Sequence, residues 1–271
     1  MEDVKEGVAK SIYLLGRVEK RVESRRQLFN KDRRCSLQSL FSRLKHPDRK
    51  GISIFDLNAF VDDLGMRVPK EEFELLFFHL DKDKDQELSL EELKAMVRPA
   101  ESTYSEAGFT AGGLTPEETR LFGKVIAEEL DGWLLFEDAK YRLIQKEAFN
   151  LHGVFGAICQ ADKSQFDVRD LYEFMKKHVT LEEVTMLKAE RAFRRLDLNS
   201  NGFITLAEWE LIFVPFLLRK IQRYPSFKNR SEYVSVLEHK YPQSLRSPPR
   251  GFSGIIQLSK KRSSRAGEPT R

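Results

Sequence analysis

Asp197 to Glu208 reads D-L-N-S-N-G-F-I-T-L-A-E. Asp197, Asn199 and Asn201 place side-chain oxygens at the first, third and fifth positions, and Phe203 offers a backbone carbonyl at the seventh. Thr205 stands ninth, where contact to an ion often runs through water. Glu208 stands twelfth, with a carboxylate long enough to present both oxygens to a hard cation. Gly202 is sixth, where a chain curling around an ion turns with positive φ, and Ile204 is eighth, where an apolar side chain points inward. An all-oxygen set at alternating places suits a hard divalent ion rather than zinc, which takes nitrogen and sulfur.

This stretch resembles the calcium loop of the EF-hand superfamily, the group that includes calmodulin, centrin and calcyphosin. A second stretch, Asp81 to Glu92, D-K-D-K-D-Q-E-L-S-L-E-E, matches the same pattern through Asp81, Asp83, Asp85, the carbonyl of Glu87, Ser89 and Glu92, with Leu88 inward. Its departure is Gln86 at the sixth position, where a non-glycine residue with positive φ costs about 1 kcal/mol. Its extra carboxylates pull the other way, so the order of affinity of the two loops stays open. The resemblance implies Ca2+ as the bound ion. It implies Asp81, Asp83, Asp85, Glu87 and Glu92 in one loop as ligands, and Asp197, Asn199, Asn201, Phe203 and Glu208 in the other.

Each competent loop follows a degenerate one, and the apolar positions repeat in register. Leu37, Leu40, Phe41 and Leu44 precede the first loop as Leu151, Val154, Phe155 and Ile158 precede the third. Ile52, Leu57, Phe60 and Val61 likewise match Phe166, Leu171, Phe174 and Met175. The ligands are missing: Lys45, Pro47, Arg49 and Asp56 occupy the first, third, fifth and twelfth positions of one loop, and Cys159, Ala161, Lys163 and Asp170 those of the other. Both read as metal-free, structural hands. A single helix-loop-helix leaves an apolar face open, so the hands should pair, with Ile52 beside Leu88 and Phe166 beside Ile204 in short antiparallel bridges.

The expected fold is all-α: two EF-hand pairs plus an amino-terminal amphipathic helix and a carboxy-terminal extension. The expected segments are an amphipathic basic helix over 1–35, a first pair over 36–98, a linker over 99–115, a helical segment over 116–149, a second pair over 150–222, and a short helix with a basic disordered tail over 223–271. Val4, Val8, Ile12, Leu15, Val18, Val22 and Phe29 form one stripe, opposite a basic face of Lys10, Arg17, Lys20, Arg21, Arg25 and Arg26. That stripe packs on the protein's own lobes or is offered to a filament, a coiled-coil partner or an anionic surface. Thr115-Pro116-Glu117-Glu118 reads as a capping box, with a helical break expected near Asp131-Gly132. Beyond Glu208 the run from Trp209 to Ile221 is more apolar than one helix face can hide, and Pro215 should kink or end it. A helix from Ser231 or a partner helix would cover the excess.

The 271 residues carry a formal charge of +4, which points to an acidic or anionic partner surface. Two cysteines are too few for a disulfide framework, and the charged amino terminus does not read as a secretory signal, so a cytoplasmic setting with cytoskeletal association is expected. The five histidines are scattered, and phosphate-loop, nucleophile-elbow and kinase patterns are absent from the sequence, which argues against an enzyme. Two functions fit: a calcium-responsive adaptor or regulatory subunit for a protein partner, or a constitutive structural component of a cytoskeletal, microtubule or ciliary assembly. The expected partner is a target helix or a filament, with no small-molecule substrate, no nucleic acid and no transmembrane segment.

Overall fold

The computed structural model describes residues 2–32, 36–101, 114–146, 149–159, 163–179 and 183–216. Among them the chain is all-α apart from four two-residue strands. The expected helix from Ser231 and the basic tail lie outside the described residues. Among the described residues no helix is long and apolar enough to cross a membrane.

The first half places α2 (Leu37–Leu44), β1 (Ile52–Ser53) and α3 (Ile54–Asp63) against α4 (Lys70–Leu80), β2 (Glu87–Leu88) and α5 (Leu90–Val97). The second half repeats the plan with α7 (Leu151–Cys159), β3 (Gln165–Phe166), α8 (Val168–His178), α9 (Met186–Leu196), β4 (Ile204–Thr205) and α10 (Leu206–Phe213). Ile52 pairs with Leu88 and Phe166 with Ile204, both antiparallel. These are the partners expected from the inward eighth position of each loop, and all four side chains are buried. Local chemistry sets the helix starts. Ser36, Ser53, Ser89, Asp167 and Thr205 each cap a helix with a side-chain oxygen that accepts a backbone N–H. Four of these five are full capping boxes closed by the acid at the twelfth loop position: Asp56, Glu92, Asp170 and Glu208.

Two long helices, α1 (Glu2–Asp32) and α6 (Pro116–Ile144), run between the halves. The stripe Val4, Val8, Ile12, Leu15, Val18, Val22 and Phe29 is buried, and α1 packs on α6, α8 and α9. The protein's own helices therefore cover this stripe. The opposite face departs from expectation. Arg26 is buried and paired with Glu19 and Glu129, while Arg21 and Arg25 reach Glu128, so acids from α6 neutralise much of the basic face.

The capping box at Thr115 and Glu118 is present with Pro116 in the first turn, but the break expected near Asp131-Gly132 is not. α6 runs unbroken through Gly132, where a Cβ would lie 2.2 Å from Val18 Cγ1. Gly132 thus serves the close crossing of α1 over α6, and not a turn. α10 stops at Phe213, with Val214 extended before Pro215. For the part described, α6 covers its apolar side: Phe136 packs edge-on against Phe213, Lys140 Nζ donates to the carbonyl of Ile212 at 2.9 Å, and Glu137 accepts the Phe216 N–H at 2.9 Å.

At the α1–α9 crossing, a Cβ on Gly16 would lie 2.5 Å from the Lys188 carbonyl oxygen. Gly16→Ala should therefore lower stability by about 1–3 kcal/mol, although alanine ordinarily favours a helix, and a thermal melt checks the sign. Glu101 accepts from Arg191 and Arg194 of α9, and these bonds hold its carboxyl at about 2 rather than the ordinary 4.5. Its pKa is lowered by folding, so its contribution is complete above 4.5 and vanishes as pH falls toward 2. Acid unfolding of Glu101→Gln should accordingly show a weaker pH dependence across that window than the parent protein.

Candidate metal centre

The loops at Asp81 and Asp197 share one scheme of backbone bonds. In the loop at Asp81, Asp81 Oδ1 accepts from Lys84 N at 2.7 Å and Oδ2 from Gln86 N at 3.0 Å. Asp83 accepts from Asp85 N, and Asp85 accepts from Glu87 N. In the loop at Asp197, Oδ1 accepts from Asn201 N at 3.2 Å and Oδ2 from Gly202 N at 2.8 Å. Asn199 accepts from Asn201 N, and Asn201 accepts from Phe203 N. In both loops the first, third and fifth side chains accept from backbone N–H groups of their own loop. One carboxylate oxygen each from Asp81, Asp83 and Asp85 lies within 4.8 Å of the others. Burial holds the Asp81 carboxyl above its ordinary value, against the N–H bonds it accepts from Gln86 and Lys84.

The twelfth positions differ. Glu208 Oε2 accepts from Thr205 N and Oγ1, while Oε1 is shut off from solvent and has no hydrogen-bond partner. A bare, desolvated carboxylate oxygen at the twelfth position of such a loop fits a hard cation. Glu92 Oε2 is held by Ser89 in the same way, but its Oε1 accepts the Lys82 N–H. The carbonyls of Glu87 and Phe203 sit at the start of the bridges: Glu87 in β2, and Phe203 immediately before β4. The Glu87 side chain turns away to accept the Gly51 N–H of the neighbouring loop at 2.8 Å.

Gln86 adopts φ of +72° and Gly202 φ of +84°, as a sixth position requires. The fourth positions, Lys84 and Ser200, also have positive φ, a second demand that reading only the sixth position missed. Both loops border one cleft of about 660 Å³, whose lining includes Glu92, Trp133, Arg195 and Asp197. The indole of Trp133 stacks on His79 with ring centroids 3.5 Å apart, and the Arg195 guanidinium lies 5.1 Å from its centroid. His79 and Arg195 each precede the first ligand position of their loop by two residues, a convergence that spacing alone does not reveal. Burial pushes the Cys159 thiol up to about 11, which keeps it protonated at neutral pH.

A family model described as EF hand matches residues 189–214, which take in most of α9, the loop at Asp197 and α10. No curated protein and no solved structure gives a significant match. That match, with the loop geometry and the acidic cluster, supports membership of the EF-hand superfamily, and an EF-hand domain generally implies Ca2+ binding.

The sixth positions give a paired test. Gln86→Gly should raise stability in chelator by about 1 kcal/mol, and Gly202→Ala should lower it by a similar amount or more. Thermal melts of the two variants should shift in opposite directions.

Proposed function

We propose that the protein is a non-enzymatic calcium-binding adaptor or regulatory subunit with two EF-hand pairs, in which the loops at Asp81 and Asp197 take the ion and those at Lys45 and Cys159 brace them. The observation that carries this reading is the buried, partnerless Oε1 of Glu208, at the twelfth position of the loop that holds Asp197, Asn199 and Asn201. Asp81, Asp83, Asp85, the Glu87 carbonyl and Glu92 would hold the second ion, once the carboxylate of Glu92 releases the Lys82 N–H. The ion supplies charge neutralisation and fixed coordination. The chain supplies a coupling from each loop to its flanking helices, through the capping boxes closed by Glu92 and Glu208.

A second reading, a constitutive component of a cytoskeletal assembly, is favoured by the internal cover of the α1 stripe. Exposing a target groove would require moving α1 or α6, whereas a scaffold would keep both in place. A cytoplasmic protein partner is common to the two readings.

Calorimetric titration should give two calcium ions per chain, with dissociation constants of about 0.1–10 μM for a sensor. Glu92→Gln and Glu208→Gln should each remove one of them. Dye binding and filament co-sedimentation, each with and without chelator, separate the roles: calcium-dependent dye binding supports the adaptor, and a pellet indifferent to chelator supports the scaffold. A titration with no heat and no gain in thermal midpoint would overturn both.

A further inference from the structure

We infer that the two loops without a ligand set carry a cation of their own: the ammonium of Lys163 occupies the cation role in the third loop, and that of Lys45 does so in the first. In the third loop Lys163 stands fifth and Asp170 twelfth, and Nζ lies 2.9 Å from Oδ1 and 3.0 Å from Oδ2 of Asp170. These are the two positions that a metal ion would bridge. In the fourth loop the same places hold Asn201 and Glu208, and Oε1 of Glu208 is bare. Aspartate at the twelfth position reaches one methylene less far than glutamate. The long lysine stem closes that gap from the opposite side and brings the charge to a carboxylate that is only 8% exposed.

Asp170 also closes the capping box of α8: its Oδ2 accepts the Asp167 N–H at 3.2 Å, and its own N–H donates to Asp167 Oδ1 at 3.0 Å. The ammonium is thereby tied to the first turn of α8, as a metal in the fourth loop would be tied to α10 through Glu208.

The first loop reaches the same end with different atoms. Lys45, at the first position, donates from Nζ to the carbonyl oxygens of Arg49 at 2.6 Å and of His46 and Pro47 at 3.3 Å each. An ammonium has three N–H donors, and here three backbone carbonyls turn toward it. Asp56 Oδ2 is meanwhile committed to Ser53 N and Oγ at 2.9 and 2.7 Å.

A tethered ammonium cannot be removed by chelator or displaced by dilution, and its charge repels a dication. Each pair therefore contains one loop whose shape is independent of calcium. That loop holds the Ile52–Leu88 or Phe166–Ile204 bridge in register for its neighbour.

The test uses the full chain and the ions alone. In excess chelator, Lys163→Met and Lys45→Met should each lower the thermal midpoint by about 2 °C or more. Unchanged midpoints in both would sink the inference. In calcium calorimetry, Cys159→Asp/Ala161→Asp, which adds ligands and keeps Lys163, should bind no more ions than the parent. Adding Lys163→Asp to that pair should raise the stoichiometry by one. An extra ion bound while Lys163 is still present, or none gained after its removal in a protein that retains its helical dichroism, would also overturn it. Ions bound by the parent chain are counted in the same titrations, so failure of the loops at Asp81 and Asp197 is read separately.

Discussion

Four buried charges hold the frame together. Glu19 of α1 and Glu129 of α6 alternate with Arg26 of α1 and Arg195 of α9, at 2.7 Å from Arg26 to each acid and at 2.8 and 2.9 Å from Arg195 to Glu19 and Glu129. Burial disfavours each charge, yet the guanidiniums of Arg195 and Arg26 hold the Glu129 carboxyl below its ordinary value, and the two acids hold Arg26 above its own. Such a ring tolerates no missing member, because the remaining charge would be desolvated and unpaired. Its directional bonds allow one axial and rotational setting of α1, α6 and α9, which an apolar stripe alone leaves free to slide.

The ring also reaches the loops. Arg26 Nε donates to the Met96 carbonyl at the end of α5, and Asn30 Nδ2 to that of Val97. Arg195 stands two residues before Asp197 and rests on Trp133, which also stacks on His79, two residues before Asp81. The helix leaving one competent loop and the helix entering the other are thus referred to a common centre. Within each half a β bridge sets one loop beside its neighbour, and across the halves charge and ring stacking do the equivalent.

Much of this was legible in the sequence. Ligand spacing picked out the loops at Asp81 and Asp197, which share one bonding scheme in the structure, and the repeated apolar offsets located the loops they pair with. The eighth-position rule named both bridge pairs, because strand pairing there follows from loop closure. Other features were not legible. Asp131-Gly132 reads as a break because glycine usually punctuates a helix, and the reason it does not is Val18, more than a hundred positions away. Arg26 reads as part of a solvated basic face, because a charge is judged exposed until a partner of opposite sign is found, and its partner Glu129 lies on another helix.

By itself the sequence determined what is short in range: which residues offer oxygen, which twelve-residue segments carry the ligand spacing and which two lack it, and where helices begin. Those properties depend on spacing along one backbone, and a covalent chain carries spacing without help. The tertiary structure decided where the long helices lie, that α1 is covered from within, that the two competent loops border one cleft, and that lysine ammoniums occupy the degenerate ones. Each of these depends on side chains meeting across distant segments or on rotamers chosen by packing, and no periodicity encodes such a meeting.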